Sequence, residues 1–375
     1  MAIPSLAMIP SGYKDGKVYS VLPSNGDGDF TFSRGSNATR VNKDGLIETV
    51  TGDLPRLDYT DSSCPSLLLE PQSTNLLPYS EDFSDSSWSL TNSSVSVNTN
   101  ISPDGTQNAD TFTATNSSAQ AQSVVLGTTG LTYTNSIWLK RKTGTGQVYL
   151  RGIENISTPI TITDEWARYS FTAQSSNGLL RSGILLSNAG DEVYVWGSQL
   201  EQQSYATSYI PTNGAIATRY ADECNSAGTS DTFNSSEGVL YAEMAALDDD
   251  LSERRFGISD GTSSNVARFG YTSASNRITA VVYNGSNQAS LNYDGANITD
   301  FNKIALKYKE NDFALWVNGV ERSAETSGSV FNEGTLNSLN LDAGNGLVPF
   351  YGKVKEIIYY NTALTDEELT DLTKI

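Results

Sequence analysis

FALWVNGVE, Phe313 to Glu321, decides the fold class. Phe313, Leu315 and Val317 alternate with Ala314 and Trp316, and Asn318-Gly319 follows before apolar residues resume at Val320. Period-two alternation closed by Asn-Gly is the strongest short-range signal for a β-hairpin with a two-residue turn. The pattern continues on both sides. VLYAEMAAL, RFGYTS, RITAVVY, KIALKYK and KVKEIIYY all read as strands. The chain then closes in a short helix. Thr365 fits its N-cap, Glu368 the reciprocal position of a capping box, and Leu364 and Leu369 a hydrophobic staple.

Upstream, short alternating segments recur between Asn, Ser, Gly and Pro. Ile137 and Leu139, Val148 and Leu150, Tyr169 and Phe171, and Val193 and Val195 each share one strand face. With no helical period between them, these segments predict an antiparallel sandwich. The expected fold class is therefore all-β: two antiparallel β-sandwiches of jelly-roll type, with an N-terminal extended arm and a short C-terminal helix. The expected boundaries are an arm or collar over 1–70, a first sandwich over 71–215, a connection over 216–237 and a second sandwich over 238–375. The N-terminal region holds too few apolar residues to build a core of its own.

Composition excludes several chemistries. The 375 residues include no histidine, so a Ser-His-Asp or Cys-His nucleophile and a His-ligated zinc or haem are ruled out. The net charge of −19 argues against a nucleic-acid phosphate backbone as partner, because such affinity rests on clustered Lys and Arg. No run of 18 apolar residues occurs, so membrane insertion is not expected. MAIPSLAMIPSGYKDGK has no basic residue before its proline-broken apolar stretch and does not read as a secretory signal. Cys64 and Cys224 flank the central segment; a bridge between them and two free thiols are both open readings.

The stretch SLLLEPQSTNLLPYSEDFSDSSWS (Ser66 to Ser89), with ISPDGTQNADTFT after it, resembles the opening of the carbohydrate-binding-module-type jelly roll found in bacteriophage tail-fibre and other virion appendage proteins. VYVWGSQLEQQSYATSYIPTNGAIATRYAD (Val193 to Asp222) resembles its end, and FTFSRGSNATRVNKDGLIETV with PRLDY resembles the leader before it. WVNGVE and FYGKVKEIIYYNTALTDEEL resemble a concanavalin A-like (laminin-G-type) lectin sandwich. The resemblance implies a structural virion protein: a tail fibre, spike or head fibre, or a capsid decoration. It would be made in the bacterial cytoplasm, attached to other virion proteins through its N-terminal region and trimeric like such fibres, and would present its sandwiches to host-surface glycans. Two alternatives stand beside it: a purely architectural decoration protein that binds no sugar, and a polysaccharide-degrading spike.

Glycan binding on a sandwich needs flat rings and hydrogen-bonding side chains on an outer face. If the alternating aliphatics point inward, then Trp138, Tyr149 and Trp196 point outward beside Lys140 and Arg151. These five form the leading candidate surface. The competing reading is that the N-terminal arm or a neighbouring subunit covers that face. Trp316 is out of phase with its strand's core residues and joins the candidates, with burial beneath the C-terminal helix as the alternative; Tyr283 and Tyr293 are weaker cases. No cofactor is required. Asp248, Asp249 and Asp250 offer oxygens suited to Ca²⁺, as does Asn188 to Glu192, though neither stretch has the spacing of an EF-hand loop. Two carboxylates would suffice for glycoside hydrolysis. Glu243 stands alone in its strand, however, Glu310 and Asp312 flank a turn, and Asp366 to Asp371 belong to the helix, so the expectation is a non-enzyme.

Overall fold

The computed structural model describes residues 2–375. Apart from the helix Asp366–Thr373 and one short 3-10 turn, its regular structure is strand. The chain divides into two compact units. Met1–Gly35, Val50–Pro71 and Ala221–Ile375 make one, here the C-terminal unit; Ser36–Thr49 and Gln72–Tyr220 make the other, the central unit. Among the described residues no helix is long and apolar enough to cross a membrane.

The hairpin at the end of FALWVNGVE forms as expected. Val317 pairs with Val320, and Asn318 (φ 54°) and Gly319 (φ 80°) both adopt left-handed backbone, as a type I′ turn requires. Its first strand belongs to an eight-stranded antiparallel sheet at whose centre Glu237–Ala246 lies between Asn302–Lys309 and Gly352–Tyr360. A five-stranded sheet, from Asn287–Asp294 through Arg254–Ser259 to Ser338–Asn340, forms the second layer. Phe313, Leu315 and Val317 point into the shared core with Phe256, Phe269, Leu306 and Ile357. The capping box is complete: Thr365 Oγ accepts from the Glu368 N–H while the Glu368 carboxylate accepts from the Thr365 N–H. Leu364 and Leu369 are buried in one cluster.

Residues 1–70 do not form a separate collar. Leu6–Met8 pairs with Gly352–Tyr360, Arg56–Asp58 and Ser66–Leu69 extend the eight-stranded sheet, and Phe30–Ser33 pairs with Glu223–Asn225. Leu6, Met8, Phe30, Phe32, Leu67 and Leu69 enter the C-terminal core. Residues too sparse to build a core can still add to an existing one when each is placed at period two. The expected connection over 216–237 is likewise structured, holding strands Ala217–Arg219 and Glu223–Asn225 and the buried Phe233. Asp222 anchors it. Its carboxylate takes the guanidinium of Arg34 at 3.0 Å and that of Arg56, while Arg56 also reaches Glu70 at 2.6 Å, and all four side chains are at most 3% exposed. Buried pairs of this kind hold register and are costly to break, by about 3–5 kcal/mol, because a lone charge would remain. Cys64 is exposed, Cys224 is buried and both are free thiols.

The central unit is a sandwich of two five-stranded sheets. The first, here the Trp138 sheet, runs Ser93–Asn100, Ala109–Ala114, Glu192–Glu201, Thr132–Thr143, Ala167–Gln174; the second, the Arg151 sheet, runs Ser89–Thr91, Ala119–Leu126, Leu179–Leu186, Val148–Arg151, Ser157–Ile160. Ile137, Leu139, Val148, Leu150, Val193 and Val195 all lie in the core, as their alternation predicts. Tyr169 and Phe171 pack against it half-buried.

Candidate functional site

The five-residue surface expected on the central unit divides between its two sheets. Trp138, Lys140 and Trp196 lie on the outer face of the Trp138 sheet, where Trp138 and Trp196 are cross-strand partners. Tyr149 and Arg151 lie on the outer face of the other sheet, because Val148–Arg151 pairs with Leu179–Leu186 and Ser157–Ile160. Period two tells inward from outward but not which sheet a strand joins.

The Trp138 face is covered, which corrects its reading as a sugar platform. Trp196 is 1% exposed and packs with Ala109 and Tyr209, against which Ile47, Trp138 and Trp166 also lie. Ile47 comes from the Ser36–Thr49 segment, so part of the N-terminal arm does cover this face, as the competing reading held. The Thr39 hydroxyl donates to the Tyr209 carbonyl at 2.6 Å and fastens the cover. The Arg168 guanidinium lies over the Trp138 ring, 4.3 Å from its centroid. Gly197 stands at a register shift in left-handed backbone (φ 62°), where a Cβ would come within 2.9 Å of the Trp138 ring. Lys140 sits half-buried beside Tyr194, its cross-strand partner.

On the outer face of the Arg151 sheet Ser89, Thr91 and Pro159 are exposed and Gln120, Gln122, Tyr149 and Arg181 half-buried, while Arg151 itself is 8% exposed. Register sets its residues in rows: Ser89, Gln122, Gly183, Arg151 and Ser157 across one line, and Thr91, Gln120, Leu185, Tyr149 and Pro159 across the next. Arg181 lies two residues along the strand from Gly183 on the same face. Gly183 is the pivot. A Cβ there would come within 2.0 Å of the Ala121 carbonyl oxygen, and without one the Arg151 side chain crosses the strand to donate to Gln122 Oε1 at 3.3 Å. Its other terminal nitrogen donates to Ser157 Oγ at 2.8 Å. From beneath, the Asn135 side-chain amide donates to the Arg151 carbonyl at 2.8 Å, and Ser182 Oγ donates to Asn135 Oδ1, so a buried polar link ties this part of the face to the opposite sheet. Burial and the neighbouring Arg181 charge both press the Arg151 pKa down. Arg181 is half-buried and, among the described residues, its guanidinium makes no ion pair and donates no hydrogen bond.

Gln120, Gln122 and Arg181 were not anticipated. Their signal is present in AQAQSVV, whose glutamines alternate with buried alanines, and in LLRSGILL, which reads as a buried run interrupted by Arg and Gly.

The remaining candidates have structural roles. Trp316 is 6% exposed and packs with Val239, Tyr241 and Leu369 under the C-terminal helix, so it is not a ligand platform. The three acidic residues at 248–250 do not converge on a cation. Asp250 pairs with Arg254 at 2.7 Å, Asp249 holds the turn at Ser275 and Asn276, and the Asp248 carboxyl is pushed up by burial and then by Asp250's charge. Among the described residues no group of three or more acidic or thiol side chains is placed to hold a metal. In the Asn188 to Glu192 stretch, Asp191 accepts from the Gly146 N–H at 2.9 Å and Glu192 pairs with Lys142. Tyr293 lies under the Arg322 guanidinium, and Tyr283 is half-buried on the C-terminal five-stranded sheet. Glu243 is not alone in space: Glu356 is its cross-strand partner, with its carboxyl pushed up by burial and by Glu243's charge, while Glu243 pairs with Lys355 at 3.3 Å.

The SEDF and IPTN motifs of the resemblance meet at a cleft of about 510 Å³ lined by Tyr79, Glu81, Asp110 and Thr212 among others. Glu81 accepts from the Tyr209 hydroxyl at 2.8 Å, and Asp110 accepts from the Phe83 and Asn98 N–H groups. Burial pushes both carboxyls up. These bonds fasten the start of the sandwich to its end.

No curated protein matches the chain. Among solved structures it is similar to the Ruminococcus gnavus IT-sialidase CBM40 bound to α2,3-sialyllactose, at 16% identity over 40% of this chain and 94% of that one with a TM-score of 0.33. It is also similar to the CBM22-1–CBM22-2 tandem domain of Paenibacillus barcinonensis Xyn10C (11% identity, 77% and 98% covered, TM-score 0.27) and to domains LG4-5 of the mouse laminin α1 chain (10%, 67% and 91%, TM-score 0.26). The family model Laminin_G_3, of the concanavalin A-like lectin/glucanases superfamily, matches residues 226–370, all within the C-terminal unit.

Proposed function

We propose that the chain is a non-enzymatic bacteriophage virion protein that attaches to host-surface glycans through the outer face of its Arg151 sheet. The observation that carries this reading is the face itself: Gln120, Gln122, Tyr149, Arg151 and Arg181 present amide, ring and guanidinium groups in register on a rigid sheet. Such groups bond sugar hydroxyls and stack on sugar faces without any acid or base chemistry. The lectin-like match of the C-terminal unit agrees with it. Phage origin, location in the virion and trimeric assembly rest on the resemblance of the flanking motifs. Attachment to other virion proteins through the N-terminal region is supported by exposed large apolar side chains there, among them Ile3, Ile9, Tyr19 and Val21.

A glycan array probed with the full chain tests the reading. Binding is expected, and it should fall at least tenfold (about 1.4 kcal/mol) in a Gln122→Ala plus Tyr149→Ala variant of unchanged melting temperature. Particle association without glycan binding would make the protein an architectural decoration instead. Reducing ends released from capsule or lipopolysaccharide, and lost with Glu356→Gln, would make it a hydrolase acting through the Glu243–Glu356 pair.

A further inference from the structure

This outer face carries a charge opposite to that of the whole protein. The chain has a net charge of −19, yet Arg151 and Arg181 stand together on the Arg151 sheet. Arg151's own burial and then the charge of Arg181 act on its guanidinium. The nearest acidic residue in sequence, Glu154, is turned away and accepts from the N–H groups of Ser176 and Asn177. The buried Arg151 and the half-buried Arg181 carry like charges that repel each other, and an anion beside them offsets that repulsion.

The two arginines have different tasks. Arg151 is engaged, with Ser157 Oγ at one terminal nitrogen and Gln122 Oε1 at the other. Arg181 has its whole planar fork uncommitted. A single free fork matches one carboxylate, a planar monoanion that takes two parallel N–H bonds. Around it, Gln120, Gln122 and Tyr149 are suited to hydroxyls and a sugar ring. The row from Ser89 to Ser157 crosses four inter-strand steps of about 4.8 Å each, about 19 Å, which gives room for a short oligosaccharide.

We propose that this face selects oligosaccharides bearing a carboxylate, such as those containing uronic or sialic acid, and that Arg181 is the residue that reads the acid. The proposal rests on the glycan-binding reading above. Body charge does not prevent it, because at about 0.15 M salt charges further than about 8 Å away are largely screened while the arginine pair acts at contact.

The test is titration calorimetry of the full chain with an oligogalacturonate, its carboxyl-reduced neutral counterpart, and sulfated and phosphorylated oligosaccharides of similar length. The oligogalacturonate should bind at least tenfold more tightly than the neutral counterpart. Arg181→Gln should abolish that preference without lowering the melting temperature, and Arg181→Lys should restore only part of it, since an ammonium lacks the fork. Equal binding of the acidic and neutral oligosaccharides overturns the acid selectivity and leaves glycan binding standing. Preference for the sulfated or phosphorylated probe overturns the assignment to carboxylate. If none of the four binds, the glycan-binding reading falls as well.

Discussion

In the central unit the face bearing Trp138 and Trp196 is covered by Ile47 and Tyr209; in the C-terminal unit the face bearing Trp316 is covered by the helix carrying Leu369. Each sandwich thus closes one outer face with its own chain. The other sheet of each has five strands, with an arginine set directly across from a glycine on the next strand. Arg151 faces Gly183 in the central unit, and Arg255 faces Gly270 and Arg268 faces Gly257 in the C-terminal unit. From there the two diverge. Arg255 pairs with Glu253 at 2.9 Å, and Arg268 donates to the Ala343 carbonyl at 3.0 Å, so the C-terminal arginines serve their own unit. The Arg181 guanidinium serves no group among the described residues. The arginine set across from a glycine thus braces its own unit in both sandwiches, Arg151 through Ser157 and Gln122; what sets the central unit apart is Arg181, across from Val124 and beside Arg151.

The largest test of this comparison removes the covers' anchors. Trp196→Ala and Trp316→Ala each delete a buried indole, and each should destabilise its own unit by about 3–5 kcal/mol, read as a lowered melting transition. Glycan binding measured well below that transition should be unchanged in both. Loss of binding with intact stability would mean that a covered face is the site after all.

A smaller effect separates these two outer faces. Arg181→Gln should weaken oligogalacturonate binding about tenfold, equivalent to about 1.4 kcal/mol. Arg268→Gln should leave binding as it is and cost only the bond to Ala343, about 1 kcal/mol of stability. If Arg268→Gln weakens binding and Arg181→Gln does not, the roles of the two faces are reversed.

How much of this was legible follows from how far apart the interacting residues lie. The Asn318-Gly319 turn, the capping box at Thr365 and the inward run of Ile137 and Leu139 depend on neighbours a few residues away, and each forms as the local pattern predicts. Leu6 pairs with Tyr359, and Arg34 reaches Asp222; nothing local in an apolar-poor N-terminus marks such partners, so it reads as an arm or collar that docks elsewhere. For the site, alternation placed Tyr149 and Arg151 on an outer face but could not separate their sheet from that of Trp138. The tryptophans mislead for a physical reason: a large ring on an outer face is a good anchor for a cover. Arg181 is hidden because LLRSGILL reads as a strand interior, and its importance lies in what does not surround it. The motifs of Ser66 to Ser89 are informative about the seam of the sandwich, where Glu81 and Ser80 meet Tyr209.

That seam supplies the smallest expected effect, one that sharpens the contrast between charge that serves the fold and charge that serves a ligand. Glu81 and Asp110 are carboxyls whose folded pKa is raised above the ordinary values of 4.5 and 3.8, in both cases mainly by burial. The folded state therefore binds their protons more tightly than the unfolded one, and their contribution to stability falls as pH rises through the window from the ordinary value up to the raised one. At neutral pH the full cost of the buried charge is present. Glu48, Asp104 and Glu192 in the same unit are shifted downward and work in the opposite sense, losing their contribution as pH falls, so the melting curve of the native chain alone cannot isolate Glu81. The difference between the native chain and Glu81→Gln can. The replacement amide carries no charge and keeps an oxygen for the Tyr209 hydroxyl; its NH2 faces Asn108, whose amide donates to Glu81 Oε2 at 3.1 Å and must turn its unbonded oxygen toward it. The variant should melt slightly above the native chain at pH 7, and the gap should shrink to nothing as pH falls below about 4.5. A variant that melts lower at pH 7 would mean that the Tyr209 bond to an ionised Glu81 stabilises the seam by more than burial of the charge costs, and that this carboxylate, unlike Arg181, is a charge the fold itself requires.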